Sequence, residues 1–274
     1  MKTFLQSSAF TLLSLACLPL GNTLQSAVVT SIDFETSEGY SITGGAGGTA
    51  NIVGQPGGAN SWASQANNLG QGLVSTTQAH SGSQSLELDW GTGRARVTKV
   101  FDAPIPTAAT QVEVSMAFRM GANSAFNASP ITIYDSSDTP FAQISFQNSG
   151  ASNAIGVATA LGTYTSSGTN WVSNTWYELS LLFDLAADTF QVAIDGGAYS
   201  TSYDVKQLIT GSPDYDVTTT SFYSMQVQGS NAAAATANAW FDNFQVSAIP
   251  EPGTATLLLG GLAVMSILRR RKTA

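Results

Sequence analysis

The chain has 274 residues, only 10% of them charged, and its 18 acidic against 10 basic side chains leave a formal net charge of −8. The single cysteine is Cys17 and the single histidine is His80, which excludes a disulfide framework and a cysteine- or histidine-rich zinc centre. Between Val28 and Pro252 the imbalance sharpens to five basic residues against 18 acidic ones. Such a surface cannot neutralise a phosphate backbone, so no nucleic-acid partner is expected.

Residues 1–27 read as a signal peptide. Met1-Lys2 gives a positive start, Phe10 to Leu20 an apolar stretch, and Pro19, Gly21 and Asn22 a break; the run is too short for a membrane span. Residues 28–247 form the mature domain, long enough for one β-domain with its own core. Its clearest strand is Val112, Val114, Met116, Phe118 and Met120 alternating with Glu113, Ser115, Ala117 and Arg119, the period-2 pattern of a half-buried strand. Tyr177, Leu179, Leu181 and Phe183 give a second apolar set, and Phe190, Val192 and Ile194 a third, ended by Asp195-Gly196. Further strands are predicted over Val28–Phe34, Ser85–Asp89, Ala95–Phe101, Ile131–Tyr134, Ala142–Gln147, Ile155–Thr159, Met225–Gln228 and Ala239–Val246. Many short strands between Gly, Asn, Asp and Pro turns predict an all-β fold, an antiparallel jelly-roll β-sandwich. Gly39 to Gly72 lacks alternation and is expected to be a long loop over one end.

Chemistry is sparse. Glu87-Leu88-Asp89 places two carboxylates on one strand face without the third expected of a Glu-x-Asp-x-Glu hydrolase strand, and His80 sits in a Ser-Gly turn with no nucleophile elbow near it. No catalytic residue is assigned. Sugar binding needs an exposed aromatic face beside hydrogen-bonding side chains. Trp62 and Trp171, the latter with Tyr164, lie in polar loop sequence and are the candidates, whereas Trp90, Trp176 and Trp240 fall on or beside strands and read as core.

Residues 248–274 form a tail of separate character. Pro250-Glu251-Pro252 is followed by Gly253 to Leu268 without a charge and then by Arg269-Arg270-Arg271-Lys272. Sixteen helical residues would span about 24 Å, a short transmembrane helix, with the basic end held in the cytoplasm and the domain outside. The prolines cannot donate ladder hydrogen bonds, so the packed domain should end there.

That order of features resembles the PEP-CTERM tail of bacterial surface proteins. The resemblance implies an exosortase-type membrane protease as partner, with Pro250, Glu251, Pro252, Arg269, Arg270 and Arg271 as the sorting signal, and a protein transiently anchored in the inner membrane before reaching the cell surface or the extracellular space. Two more resemblances concern the domain. Trp176–Leu181 with Phe190–Gly196 looks like the paired strands of laminin-G-like and concanavalin A-like domains; Ser31–Glu35, Ala79–Leu86 and Trp240–Phe244 resemble strands of jelly-roll carbohydrate-binding modules. In those modules a structural calcium joins the first and last strands, which implies Asp33, Glu35 and Asp242 as its ligands here, with Asp135 and Asp138 a weaker second set. The expectation is an exported, non-enzymatic surface or matrix protein that binds extracellular polysaccharide. The alternatives are a polysaccharide-active hydrolase on the same fold and a purely structural or adhesin sandwich.

Overall fold

The alternation in the sequence becomes two antiparallel sheets. The computed structural model describes residues 26–43, 51–56, 61–64, 71–89, 96–121, 127–148, 153–160, 163–209, 215–228 and 238–250. In chain order the strands are β1 (Ala27–Ile32), β2 (Ala63–Ser64), β3 (Gln71–Ser75), β4 (Ser85–Asp89), β5 (Arg96–Val100), β6 (Ala109–Met120), β7 (Asn127–Tyr134), β8 (Pro140–Asn148), β9 (Asn153–Ala160), β10 (Thr163–Asn170), β11 (Trp176–Asp184), β12 (Thr189–Ile194), β13 (Tyr203–Asp204), β14 (Ser224–Gln228) and β15 (Ala239–Pro250). One sheet runs β13-β12-β11-β6-β15-β4-β3, with β1 also paired to β15; the other runs β10-β9-β8-β7-β14-β5-β2. No helix of the described residues is long and apolar enough to cross a membrane.

The sheets bury their apolar faces against each other. Phe118 of β6 meets Phe146 of β8 with ring centroids 4.3 Å apart, and Phe141 of β8 meets Phe183 of β11 at 6.1 Å. Val112, Val114, Met116 and Phe118 alternate into this core from β6, as Leu179, Leu181 and Phe183 do from β11.

Strands of clear alternation fall where expected, and three departures have physical causes. β10 was not expected: its Ser/Thr-rich sequence is nowhere fully buried, so this edge strand carries no apolar period to read. The loop from Gly39 contributes core instead of open surface: Tyr40, Ile52 and Trp62 are buried, and the Trp62 indole donates to the Tyr40 hydroxyl at 3.0 Å. The third lies in β15. Asp242 pairs with Ala117 and Gln245 with Ser115, so one extra residue sits on β15, and Asn243 takes a φ of 48°. This β-bulge reverses the parity of the strand. Phe241 faces the core before it and Phe244, Val246 and Ala248 after it. Asp242 is therefore not on the face of Phe244 and Val246, as simple alternation suggested.

β1 begins at Ala27, and β15 runs to Pro250, whose partner is Ala109. Residues 1–25, Glu251, Pro252 and Arg269–Arg271, with the expected transmembrane helix, lie outside the described residues.

Phe118 is wholly buried at the contact between the sheets. Phe118→Ala is expected to lower stability by about 3–5 kcal/mol, measured by denaturant unfolding of the 26–251 domain.

Candidate functional site: the outer face of the seven-stranded sheet

The strands that send Ile133, Ile144, Val157 and Val227 inward must turn the intervening residues outward. Register aligns these into one row across six strands. Thr98 of β5 is opposite Gln226 of β14, Gln226 opposite Thr132 of β7, Thr132 opposite Gln143 of β8, and Ala158 of β9 opposite Tyr164 of β10. Beside the row stand Arg96, Tyr134 and Ser145.

Outward polar side chains are normally wet; these are not. Thr132, Ser145 and Gln226 are 1% exposed and Gln143 is 7% exposed. Internal hydrogen bonds satisfy part of the row. Gln143 Nε2 donates to Thr132 Oγ1 at 2.9 Å, the Tyr164 hydroxyl donates to Gln143 Oε1 at 3.1 Å, and the Tyr134 hydroxyl donates to Gln226 Oε1 at 3.1 Å. On this face, among the described residues, Thr98 Oγ1, Ser145 Oγ and Gln226 Nε2 are buried without a hydrogen-bond partner. Burial pushes the Tyr134 phenol above its ordinary value, with the Arg96 guanidinium opposing the rise, so at neutral pH Tyr134 is a neutral donor and acceptor. The face thus offers aromatic edges, hydroxyls, primary amides and one guanidinium, the groups that bind polyhydroxylated ligands. Among the described residues, no strand position on it carries Asp or Glu.

The aromatic candidates are redistributed. Tyr164 lies on this face. Trp62 and Trp171 do not present an open indole: they are 1% and 2% exposed, packed against Phe34 and Phe146. Their polar flanks misled because the loops fold back over the ends of the core. Trp240, read as core, is buried at 8% exposure, whereas Trp176 is half-buried; both stand on the outer face of the eight-stranded sheet, flanking Arg119 in register, and the Arg119 guanidinium lies 5.1 Å from the Trp240 ring. Below them His80 packs edge-on against Trp176 at 5.4 Å, its Nδ1 takes a 3.0 Å hydrogen bond from Asn243, and its Nε2 is 3.8 Å from Glu178. A hollow of about 230 Å³ adjoins, lined by Ser115, Ala117, Glu178, Ser180, Asn243 and Gln245. Trp90 lies outside the described residues.

Two of the residues expected to hold calcium, Glu35 and Asp242, clamp a loop. Phe34 takes a φ of 58°, kinking the chain after β1, and with the β15 bulge this brings Glu35 and Asp242 to one loop, His80–Gln84. Asp242 Oδ2 accepts from the His80 and Ser81 amides at 2.8 and 3.1 Å and Oδ1 from the Asn243 amide at 2.9 Å. Glu35 Oε1 accepts from the Ser83 and Gln84 amides at 2.6 and 2.9 Å, and Oε2 from the Ser83 hydroxyl at 2.9 Å. Gly82 has no room for a side chain, since an added Cβ would collide with Glu35 Oε1. Each of the four carboxylate oxygens thus accepts at least one hydrogen bond. The Asp33 amide donates to Glu38 Oε2 at 2.8 Å, and the Asp33 charge contributes to raising the Asp242 carboxyl. Asp135 is likewise committed, to Ser137, Thr139 and the Tyr215 hydroxyl. Among the described residues no group of three acidic or histidine side chains is arranged to hold a metal ion, and Glu35 and Asp242 act as a pair of loop clamps.

Sequence reasoning missed Arg96, Thr98, Tyr134, Gln143 and Gln226. The signal was the alternation in Ala142-Gln143-Ile144-Ser145-Phe146 and Met225-Gln226-Val227, which marks the outward residues without showing that their neighbours in space are also polar.

With this geometry established, comparison with known proteins adds two findings. Residues 248–272 match the PEP-CTERM protein-sorting motif; the chain therefore carries the C-terminal sorting signal of an exported protein, the kind recognised by exosortases. Among curated proteins nothing matches the chain. Among solved structures it is similar to a carbohydrate esterase from Shiga toxin-encoding bacteriophage phi24B, at 16% identity and a TM-score of 0.54, covering 82% of this chain and 100% of that one. It is also similar to the lectin UEA-II complexed with galactose, at 13% identity and a TM-score of 0.46, covering 73% and 97%. A sialidase matches at 11% identity and a TM-score of 0.48 over 68% of this chain, which spans 17% of that protein's length. At such identities the likeness is one of fold: an all-β, jelly-roll-like sandwich.

The clamps titrate in opposite senses. At Glu35 desolvation pushes the carboxyl up, but the Ser83 and Gln84 amides and the Ser83 hydroxyl outweigh it and hold it below the ordinary value. At Asp242 burial prevails over the Ser81, His80 and Asn243 amides and the carboxyl is raised. Stability from Glu35 is thus present above its unfolded-state pKa and lost as pH falls through the folded one; Asp242 instead costs stability as pH rises through its window. Glu35→Gln should be less stable at neutral pH and lose less stability down to about pH 3 than the wild type, measured by urea unfolding across that range.

Proposed function

We propose that this exported sandwich is a non-enzymatic, polysaccharide-binding protein of the cell surface or extracellular matrix, and that it grips glycan on the outer face of the seven-stranded sheet. One observation carries the reading: Thr98 Oγ1, Ser145 Oγ and Gln226 Nε2 are buried and unpartnered on the same face. Native proteins leave few such atoms, and each one costs about 1–3 kcal/mol unless a ligand or water satisfies it. Sugar hydroxyls supply both donors and acceptors. The row from Thr98 to Tyr164 crosses five strand spacings, about 24 Å at ~4.8 Å each, long enough for several sugar units. Tyr134 and Tyr164, half-buried, frame it with ring edges. The absence of a described carboxylate on its strands supports binding over hydrolysis, because glycoside hydrolysis ordinarily requires two opposed carboxyl groups.

The test is a binding screen against purified polysaccharides and oligosaccharides. The wild type should bind at least one, and Gln226→Leu or Tyr164→Ala should each weaken that binding about tenfold, the loss of one or two good hydrogen bonds, with thermal unfolding still cooperative. A screen without any glycan binding would sink the proposal.

A further inference from the structure

The sorting motif does not begin where the fold ends. The motif covers residues 248–272, while β15 continues to Pro250, so Ala248, Ile249 and Pro250 belong to both. Ala248 is held on two sides, opposite Ala27 of β1 and Val112 of β6, and is buried. Ile249 and Pro250 pair with Gln111 and Ala109 of β6, but β1 begins opposite Ala248, so among the described residues their other edge has no strand partner. They are also half-buried, in contrast to Ala248.

Two constraints meet at this edge. Gly253, the first residue of the uncharged stretch, lies three residues beyond Pro250, a chain reach of about 10 Å at most. A protease embedded in the membrane therefore meets the sandwich itself unless the strand end opens, and each opened residue adds about 3.5 Å. An extended peptide is commonly held as an added strand through its main-chain groups. Within Pro-Glu-Pro two of three amide hydrogens are missing, so Ile249 and Glu251 must supply the donors, and Ile249 is a rung of the sheet. We infer that the sorting protease takes the motif from the folded sandwich at the open edge of β15, and that the Ile249 and Pro250 rungs detach from β6 to deliver it. Strand ends are the least costly part of a sheet to open. The inference rests on the tail being processed and is independent of the glycan reading.

The experiment pins the rung. Gln111 and Ile249 are directly opposite, a spacing that suits a cross-strand disulfide, and the only native cysteine is Cys17, which the experiment replaces by serine. The full chain bearing Gln111→Cys and Ile249→Cys, expressed in an exosortase-containing host, is followed by pulse–chase for loss of its tail. The cross-linked form should be processed at least about tenfold more slowly than the same protein kept reduced. Inserting a flexible six-residue linker between Ile249 and Pro250 of the cross-linked chain should restore the rate. Processing of the cross-linked chain at the wild-type rate overturns the inference, as does a block that the linker fails to relieve. Failure of the tail-processing premise is distinguishable, since the wild type would then keep its tail too.

Discussion

The organisation of this protein depends on one extra residue in its last long strand. The bulge at Asn243 switches the inward face of β15 between Phe241 and Phe244. That switch lets a single strand cover the core along its whole length while turning Asp242 toward the His80–Gln84 loop. Asp242 is buried and pushed toward its neutral form, yet three backbone amides hold it. Without the bulge the carboxylate would have no such donors, and its burial would be prohibitive.

Glu35 complements Asp242 from the other chain end. The kink at Phe34 sends the phenyl ring into the core beside Tyr40 and Trp62 and leaves Glu35 to hold Ser83 and Gln84. The start and end of the domain are thereby tied to the same loop by carboxylate–amide contacts, and β1 is zipped along β15 as well. A fold whose first and last strands are joined in this way presents both termini at one pole, which suits a chain whose sorting signal continues directly from its final strand.

The two outer faces differ in kind. On the eight-stranded sheet, tryptophans and Arg119 pack on each other, one buried indole nitrogen, Trp240 Nε1, lacks a hydrogen-bond partner, and a small hollow adjoins them. On the seven-stranded sheet, amides and hydroxyls are sunk out of solvent with some of their hydrogen-bonding capacity unspent. The second arrangement is costly for folding alone, which is why it draws the functional argument.

Much of this was legible in the sequence. The alternation in β6, β11 and β12 fixes those strands and their inner faces, because a side-chain period of two belongs to the backbone itself. The Pro-Glu-Pro tail and its basic end are likewise local signals, read without a fold. Tyr164 could be named as a surface aromatic, but Trp62 and Trp171 could not be placed in the core, since nothing local shows which loops fold back over an open end. The face of Asp242 was misplaced because a bulge is set by the pairing of two strands, with Asp242 opposite Ala117 from a distant part of the chain. The polar row from Thr98 to Tyr164 is likewise a matter of register: six strands contribute one outward residue each, and only tertiary pairing decides that they are neighbours. The sequence by itself determined an all-β exported domain and its address; the tertiary structure decided where its polar atoms are left waiting for a partner, because register and burial are properties of strands meeting and not of any one strand.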